Sequence, residues 1–182
     1  LRLISVTATS GVPEPEREKI DVHERSAARL AAVQALYQIE ASQNPQDQVI
    51  KDFLIGRLGG LAVTQDPETE EESTVALATL DSELFIHLVR GVHTRMDEID
   101  EIIKGSLSPE WPWERLEMTV RAILRAGVAE LLTRTDIPGR ATVSEYIDVA
   151  HAFYAGNEPR MINAVLDRVA KALGRTEGAR ER

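Results

Sequence analysis

Apolar residues in this chain return at every third or fourth position, stretch after stretch, and that period leaves little but helices to build with. The clearest run is Leu84, Leu88, Val92, Met96, Ile99 and Ile103, which predicts one helix over 81–104 closed by Gly105. Leu116, Val120, Leu124, Val128 and Leu131 predict another over 114–134, broken by the turn Asp136-Ile137-Pro138-Gly139. Thr142-Val143-Ser144-Glu145 reads as a capping box opening a helix over 143–154. Ile162, Leu166, Val169 and Leu173 mark a last helix, with Pro159 at its first position and Gly174 just past its end. Nearer the N-terminus, a helix over 22–40 stops before Asn44-Pro45, and a shorter one over 46–58 stops at Gly59-Gly60. No strand is predicted, and residues 59–74 read as a solvated loop.

Only 4% of the residues are aromatic, so small aliphatic side chains must fill the interior. That favours helix-on-helix layers, hence an all-α fold of two packed helical subdomains, about 22–105 and 106–174. Trp111 and Trp113 are read as core anchors rather than base-stacking platforms. Pro13 and Pro15 among charges predict a disordered leader over 1–21, and 175–182 is expected to be a basic tail. The first residue is Leu1 rather than methionine, which leaves the true start open. The absence of cysteine excludes disulfides and thiolate metal sites and fits a cytoplasmic protein. No apolar run reaches the length a membrane span needs.

A net charge of −9 argues against indiscriminate binding to nucleic acid. The charge is uneven, however. Asp66, Glu68, Glu70, Glu71 and Glu72 form an acidic run read as spacing and solubility, whereas bases outnumber acids from Arg160 to Arg182. An anion site must therefore be a local patch. Arg25 and Arg29, and again Arg121 and Arg125, stand four apart, so each pair shares one flank of its helix and could clamp two phosphates. The plainer alternative is that they are solvated or ion-paired, Arg125 with Glu117 or Glu130 for instance. Glu145, Asp148 and His151 share part of a helix face, but no nucleophile elbow, paired Glu-x-x-His or phosphate-binding glycine loop accompanies them. No catalytic residue, metal or cofactor is therefore expected.

Several motifs follow one another in order: Gln34-Ala35-Leu36-Tyr37, the segment from Phe85 to Val92, Ala122-Ile123-Leu124-Arg125 followed by Glu130-Leu131, Asp136-Ile137-Pro138, Val143-Ser144-Glu145, and Met161 to Asp167. Together they resemble the NusB family of bacterial transcription antitermination factors. The likeness covers roughly 22–174. It implies a non-enzymatic, all-helical protein that binds boxA RNA of ribosomal operons together with a small-subunit ribosomal protein acting as NusE. It also implies work in an RNA polymerase elongation complex. Arg25, Arg29, Arg121 and Arg125 become the RNA-binding candidates, and Tyr37, Asn157 and Met161 the partner-facing ones. Met161 and Ala164 stand where the family has phenylalanine and glycine, and the start is less basic than usual. The competing reading is a helical protein–protein module without RNA contact.

Overall fold

The computed structural model describes residues 14–55, 61–65, 72–76 and 80–175, with side chains described from 23 to 55 and from 80 to 175. Helix α1 (Glu14–Ser42) and α2 (Gln46–Leu54) lead into a hairpin of β1 (Leu61–Gln65) and β2 (Glu72–Ala76). Then come α3 (Ser82–Thr94), α4 (Met96–Ser106), a short 3-10 turn (Trp113–Arg115), α5 (Met118–Thr133), α6 (Gly139–Phe153) and α7 (Glu158–Ala172). The packed body is all helical, as the apolar period required.

Helix α5 is the axis of that body. It packs against α1, α3, α4, α6 and α7, and nearly every residue from Ala122 to Leu131 is buried, on all sides rather than along one stripe. Gly127 lets α6 and α7 come close to α5: a Cβ there would lie 2.9 Å from Leu166 Cδ2 and 3.3 Å from Tyr146 Cδ2. On the far side of α1, Phe53 of α2 stacks on Phe85 of α3 with ring centroids 5.6 Å apart, closing the other end of the core.

Several expected boundaries move, each for a local reason. Helix α1 starts at Glu14, so residues 14–21 are helical rather than a disordered leader, while 1–13 lie outside the described residues. It ends where Gln43 takes a left-handed φ of 57°, and the Gln43 side chain donates to the Glu40 carbonyl at 2.8 Å. Helix α2 ends at Leu54 rather than 58. The single helix expected over 81–104 is two, bent at Arg95 (φ −118°, ψ 24°). There the Thr94 hydroxyl donates to the Arg90 carbonyl four residues back, a contact that bends helices. Asp81 caps α3 by accepting from the Leu84 amide at 2.9 Å.

The stretch expected to be a strandless loop contains the antiparallel hairpin, with Leu61 opposite Ala76 and Gln65 opposite Glu72. Val63, Thr64, Thr74 and Val75 are β-branched and suit a strand, a preference the neighbouring glycines and acids concealed. Residues 66–71, most of the acidic run, lie outside the described residues. Helix α5 begins at Met118 and not at 114, because Leu116 and Glu117 are extended. The capping box does not form. Helix α6 starts earlier, at Gly139, and Thr142 lies inside its first turn with its hydroxyl buried and unpartnered among the described residues.

The C-terminal end of α7 folds back as a Schellman turn: Gly174, at φ 68°, donates to the Lys171 carbonyl and Arg175 to that of Ala170. This delivers the Arg175 guanidinium to the carbonyls of Leu131, Arg134 and Ile137, where a cation satisfies acceptors that the end of α5 leaves open. Residues 176–182 of the expected basic tail are outside the described residues. The Arg175 backbone sits so close that a Cβ on Gly139 would fall 2.3 Å from its carbonyl oxygen. Gly139→Ala is therefore expected to cost about 1–3 kcal/mol in urea unfolding. The exposed neighbour Arg140→Ala should change stability by less than about 0.5 kcal/mol.

Candidate nucleic-acid interface

Arg25 and Arg29, in the middle of α1, have different fates. Arg29 turns inward: it is 4% exposed, and its guanidinium forks onto Glu130 of α5, with Nη2 to Oε1 at 2.7 Å and Nε to Oε2 at 3.0 Å. Its remaining nitrogen, Nη1, reaches Glu145 of α6 at 3.0 Å, and Ser26 donates to the same Glu145 oxygen at 2.7 Å. The Tyr146 hydroxyl donates to Glu130 at 2.9 Å, completing a buried network across α1, α5 and α6. Burial is the largest single influence and works against the charge on Arg29, but the Glu130 hydrogen bonds together with the charges of Glu130, Tyr146 and Glu145 hold Arg29 above its ordinary pKa. Burial, then the charge of Glu130, pushes the Tyr146 phenol well up, so Tyr146 stays a donor.

The expected Arg25/Arg29 clamp is thus not formed, because Arg29 is spent inside the core; Arg25 stays half-buried on the flank. Glu145, expected to reach back to a helix cap or to join His151, is instead held by Arg29 and Ser26.

The second arginine pair also meets carboxylates, though not the ones expected. Arg125 forks onto Asp100 of α4, with Nε to Oδ1 at 2.8 Å and Nη2 to Oδ2 at 2.9 Å, and gives Nη1 to Glu40 Oε2 at 2.6 Å. Arg121 takes the other Glu40 oxygen and donates to the Leu116 carbonyl at 2.6 Å. Burial opposes the charge of Arg125, yet its hydrogen bonds to Asp100 and Glu40 raise its pKa. Trp113 lies against this group, its ring 5.3 Å from the Arg125 guanidinium, 5.7 Å from that of Arg121 and 5.7 Å from Lys104 Nζ. Glu117 and Glu130, the partners suggested by spacing, bind Tyr154 and Arg29 instead. This cluster is partly accessible, with Arg125 and Arg121 side chains 12% and 19% exposed.

The partner-facing candidates separate into two grooves. Tyr37, 40% exposed, and Phe153, 41% exposed, flank a groove of about 350 Å³ with a mixed lining, Val33 and Phe53 beside the polar Gln34, Gln38 and Thr119. Asn157 and Met161 line a different groove of about 470 Å³ between α7 and the segment after α4. Asn157 is exposed, but Met161 is buried and contributes only its edge. Sequence reasoning missed the cations here: Arg160 and Arg168, two turns apart on α7, stand at this groove with Trp111. Arg168 donates to the Ser106 carbonyl at 2.5 Å, while Arg160 is exposed and has no ion-pair partner among the described residues. The excess of bases after Arg160 was the signal that could have found them.

Among the described residues no helix is long and apolar enough to cross a membrane, and no cluster of His, Asp and Glu could hold a metal ion. The fold is a helical body that carries a groove flanked by two exposed aromatic rings and guanidinium-bearing surfaces. A NusB family model matches residues 26–171. The transcription antitermination protein NusB of Rhodospirillum rubrum is 53% identical over 153 residues, covering 81% of this chain and 83% of that protein. Its counterpart from Sphingopyxis alaskensis is 47% identical over 147 residues, covering 81% and 92%. Among solved structures, T. maritima NusB superposes with a TM-score of 0.62 at 28% identity, over 81% of this chain and 90% of that one. An antitermination complex of NusB and NusE with dsRNA contains a chain of the same fold, at a TM-score of 0.61 and 24% identity, covering 81% and 96%. The chain belongs to the NusB family.

Glu130→Gln keeps the shape of the buried network and removes the charge that Arg29 faces. It is expected to lower stability by about 3 kcal/mol or more, measured by denaturant unfolding.

Proposed function

We propose that this protein is a cytoplasmic RNA-binding antitermination factor. In this reading it binds boxA-type RNA of ribosomal operons jointly with ribosomal protein NusE, and the complex promotes processive elongation by RNA polymerase. The observation that carries the reading is family membership over nearly the whole described body, with a relative at 53% identity that is a transcription antitermination protein. A NusB has been seen with NusE on double-stranded RNA, which supports both classes of partner.

The geometry supports a division of labour. The Tyr37–Phe153 groove sets two exposed aromatic rings beside glutamines, and none of its lining residues is charged, which suits a protein partner better than a phosphate chain. RNA is assigned to the cationic surfaces, with Arg25 on α1, the α5 pair Arg121 and Arg125, and Arg160 on α7 as candidates, while Asn157 and Met161 beside Arg160 stay candidates for the protein partner. Arg29 serves this surface only by fixing α1 on α5. The overall charge of −9 opposes RNA, so neither this chain nor NusE should bind the strand tightly alone. The joint surface supplies the affinity.

A gel shift with a boxA-like single strand, with and without NusE, tests the reading. The complex should bind at least about tenfold tighter than this chain alone, and about four neutralised phosphates would give a log affinity–log salt slope near −3. No shift with both proteins present would leave only the protein-docking module. Tyr37→Ala should weaken NusE binding by about tenfold or more in calorimetry, as removal of an exposed aromatic anchor does, while leaving the melting temperature nearly unchanged.

A further inference from the structure

Glu40 is placed in an unusual way. It lies two residues from the C-terminal end of α1, where the helix dipole and open carbonyls disfavour a carboxylate. What holds it there is the arginine pair of α5: one oxygen goes to Arg121 and the other to Arg125 Nη1 at 2.6 Å. A carboxylate divided between two guanidinium groups makes the contacts that two non-bridging oxygens of a phosphate would make. Neither arginine depends on Glu40 for its position. Arg125 is fixed by its fork onto Asp100, Arg121 by the Leu116 carbonyl, and both by the Trp113 ring.

Beside them, a cavity of about 520 Å³ is lined by Glu40, Gln43, Asn44, His93, Met96 and Arg125, among others. It gives the Glu40 side chain, 26% exposed, somewhere to swing and a second anion a way in.

We propose that Arg121 and Arg125 form a preassembled cradle for a phosphate group, and that Glu40 is its resident competitor, kept in place until a phosphate displaces it. The phosphate can be one link of a bound RNA strand or a free phosphate ion; the chemistry of recognition is shared. The closed state neutralises two cations on an already acidic body, so a stray polyanion gains little from them. A strand held elsewhere at high local concentration can exchange its phosphate for the carboxylate.

The test is Glu40→Gln, which keeps the side chain's shape and removes its charge. With inorganic phosphate replacing chloride at matched ionic strength, its melting temperature should rise about 3 °C more than that of the wild type. Arg125→Ala added to Glu40→Gln should abolish the difference. Equal response of Glu40→Gln and wild type overturns the cradle. With the boxA-like strand and NusE, Glu40→Gln should bind about tenfold tighter and steepen the salt slope by about 0.7, the effect of one further strand phosphate. A phosphate response with unchanged RNA affinity supports the cradle and assigns it to free phosphate. The RNA measurement rests on the function proposed above, whereas the phosphate measurement does not, so the two can fail separately. Glu40→Asp, too short to span both arginines, should give the same gain in smaller measure and serves if Glu40→Gln folds poorly.

Discussion

The ion pair between Arg29 and Glu130 sits where α1, α5 and α6 meet, and the arrangement of the rest follows from it. Both side chains are almost sealed from solvent, so each charge is tolerable only because the other is there. The fork leaves one guanidinium nitrogen for Glu145, and Tyr146 donates to the Glu130 Oε2 that also accepts from Arg29 Nε, so the network fixes the rotation of three helices at once. Rotating α1 by a fraction of a turn would strand a buried charge. With α1 fixed, Tyr37 is held at the mouth of the groove it shares with Phe153 and Glu40 against the α5 arginines. Surface chemistry here is therefore set by a contact buried well beneath it.

Much of the fold was legible. The stripes ending at Leu131 and Leu173 named real helices, Gly174 and Pro159 marked real ends, and the low aromatic content pointed correctly to helix layers. What failed were features that depend on side chains finding distant partners. Thr142 and Glu145 have the spacing of a capping box, but Glu145 gains more from Arg29 on another helix. The bend at Arg95 rests on a threonine hydroxyl whose choice between solvent and the Arg90 carbonyl no periodicity reveals. The hairpin was hidden because glycines and acids around it are the same residues that build loops.

The candidate site was legible in kind and not in detail. Residue spacing showed which arginines share a flank, and it could not show which flank faces inward. Arg25 and Arg29 stand one turn apart, a rise of about 6 Å along α1, and it is Arg29 that comes level with Glu130. Spacing likewise offered Glu117 and Glu130 as mates for Arg125. The actual mates, Asp100 and Glu40, come from α4 and α1, and pairing between helices is fixed by tertiary packing. Arg160 and Arg168 lie just outside the Met161 to Asp167 motif and stand eight residues apart, so neither the motif nor a four-residue spacing picks them out.

Trp113 is one of only two tryptophans, and it lies against three cations at the junction of α4 and α5. Indole emission responds to nearby charge. The molecule thus carries an intrinsic optical gauge of whether that junction is shut, readable without any attached dye and placed where a rearrangement of the α5 guanidinium groups would register first.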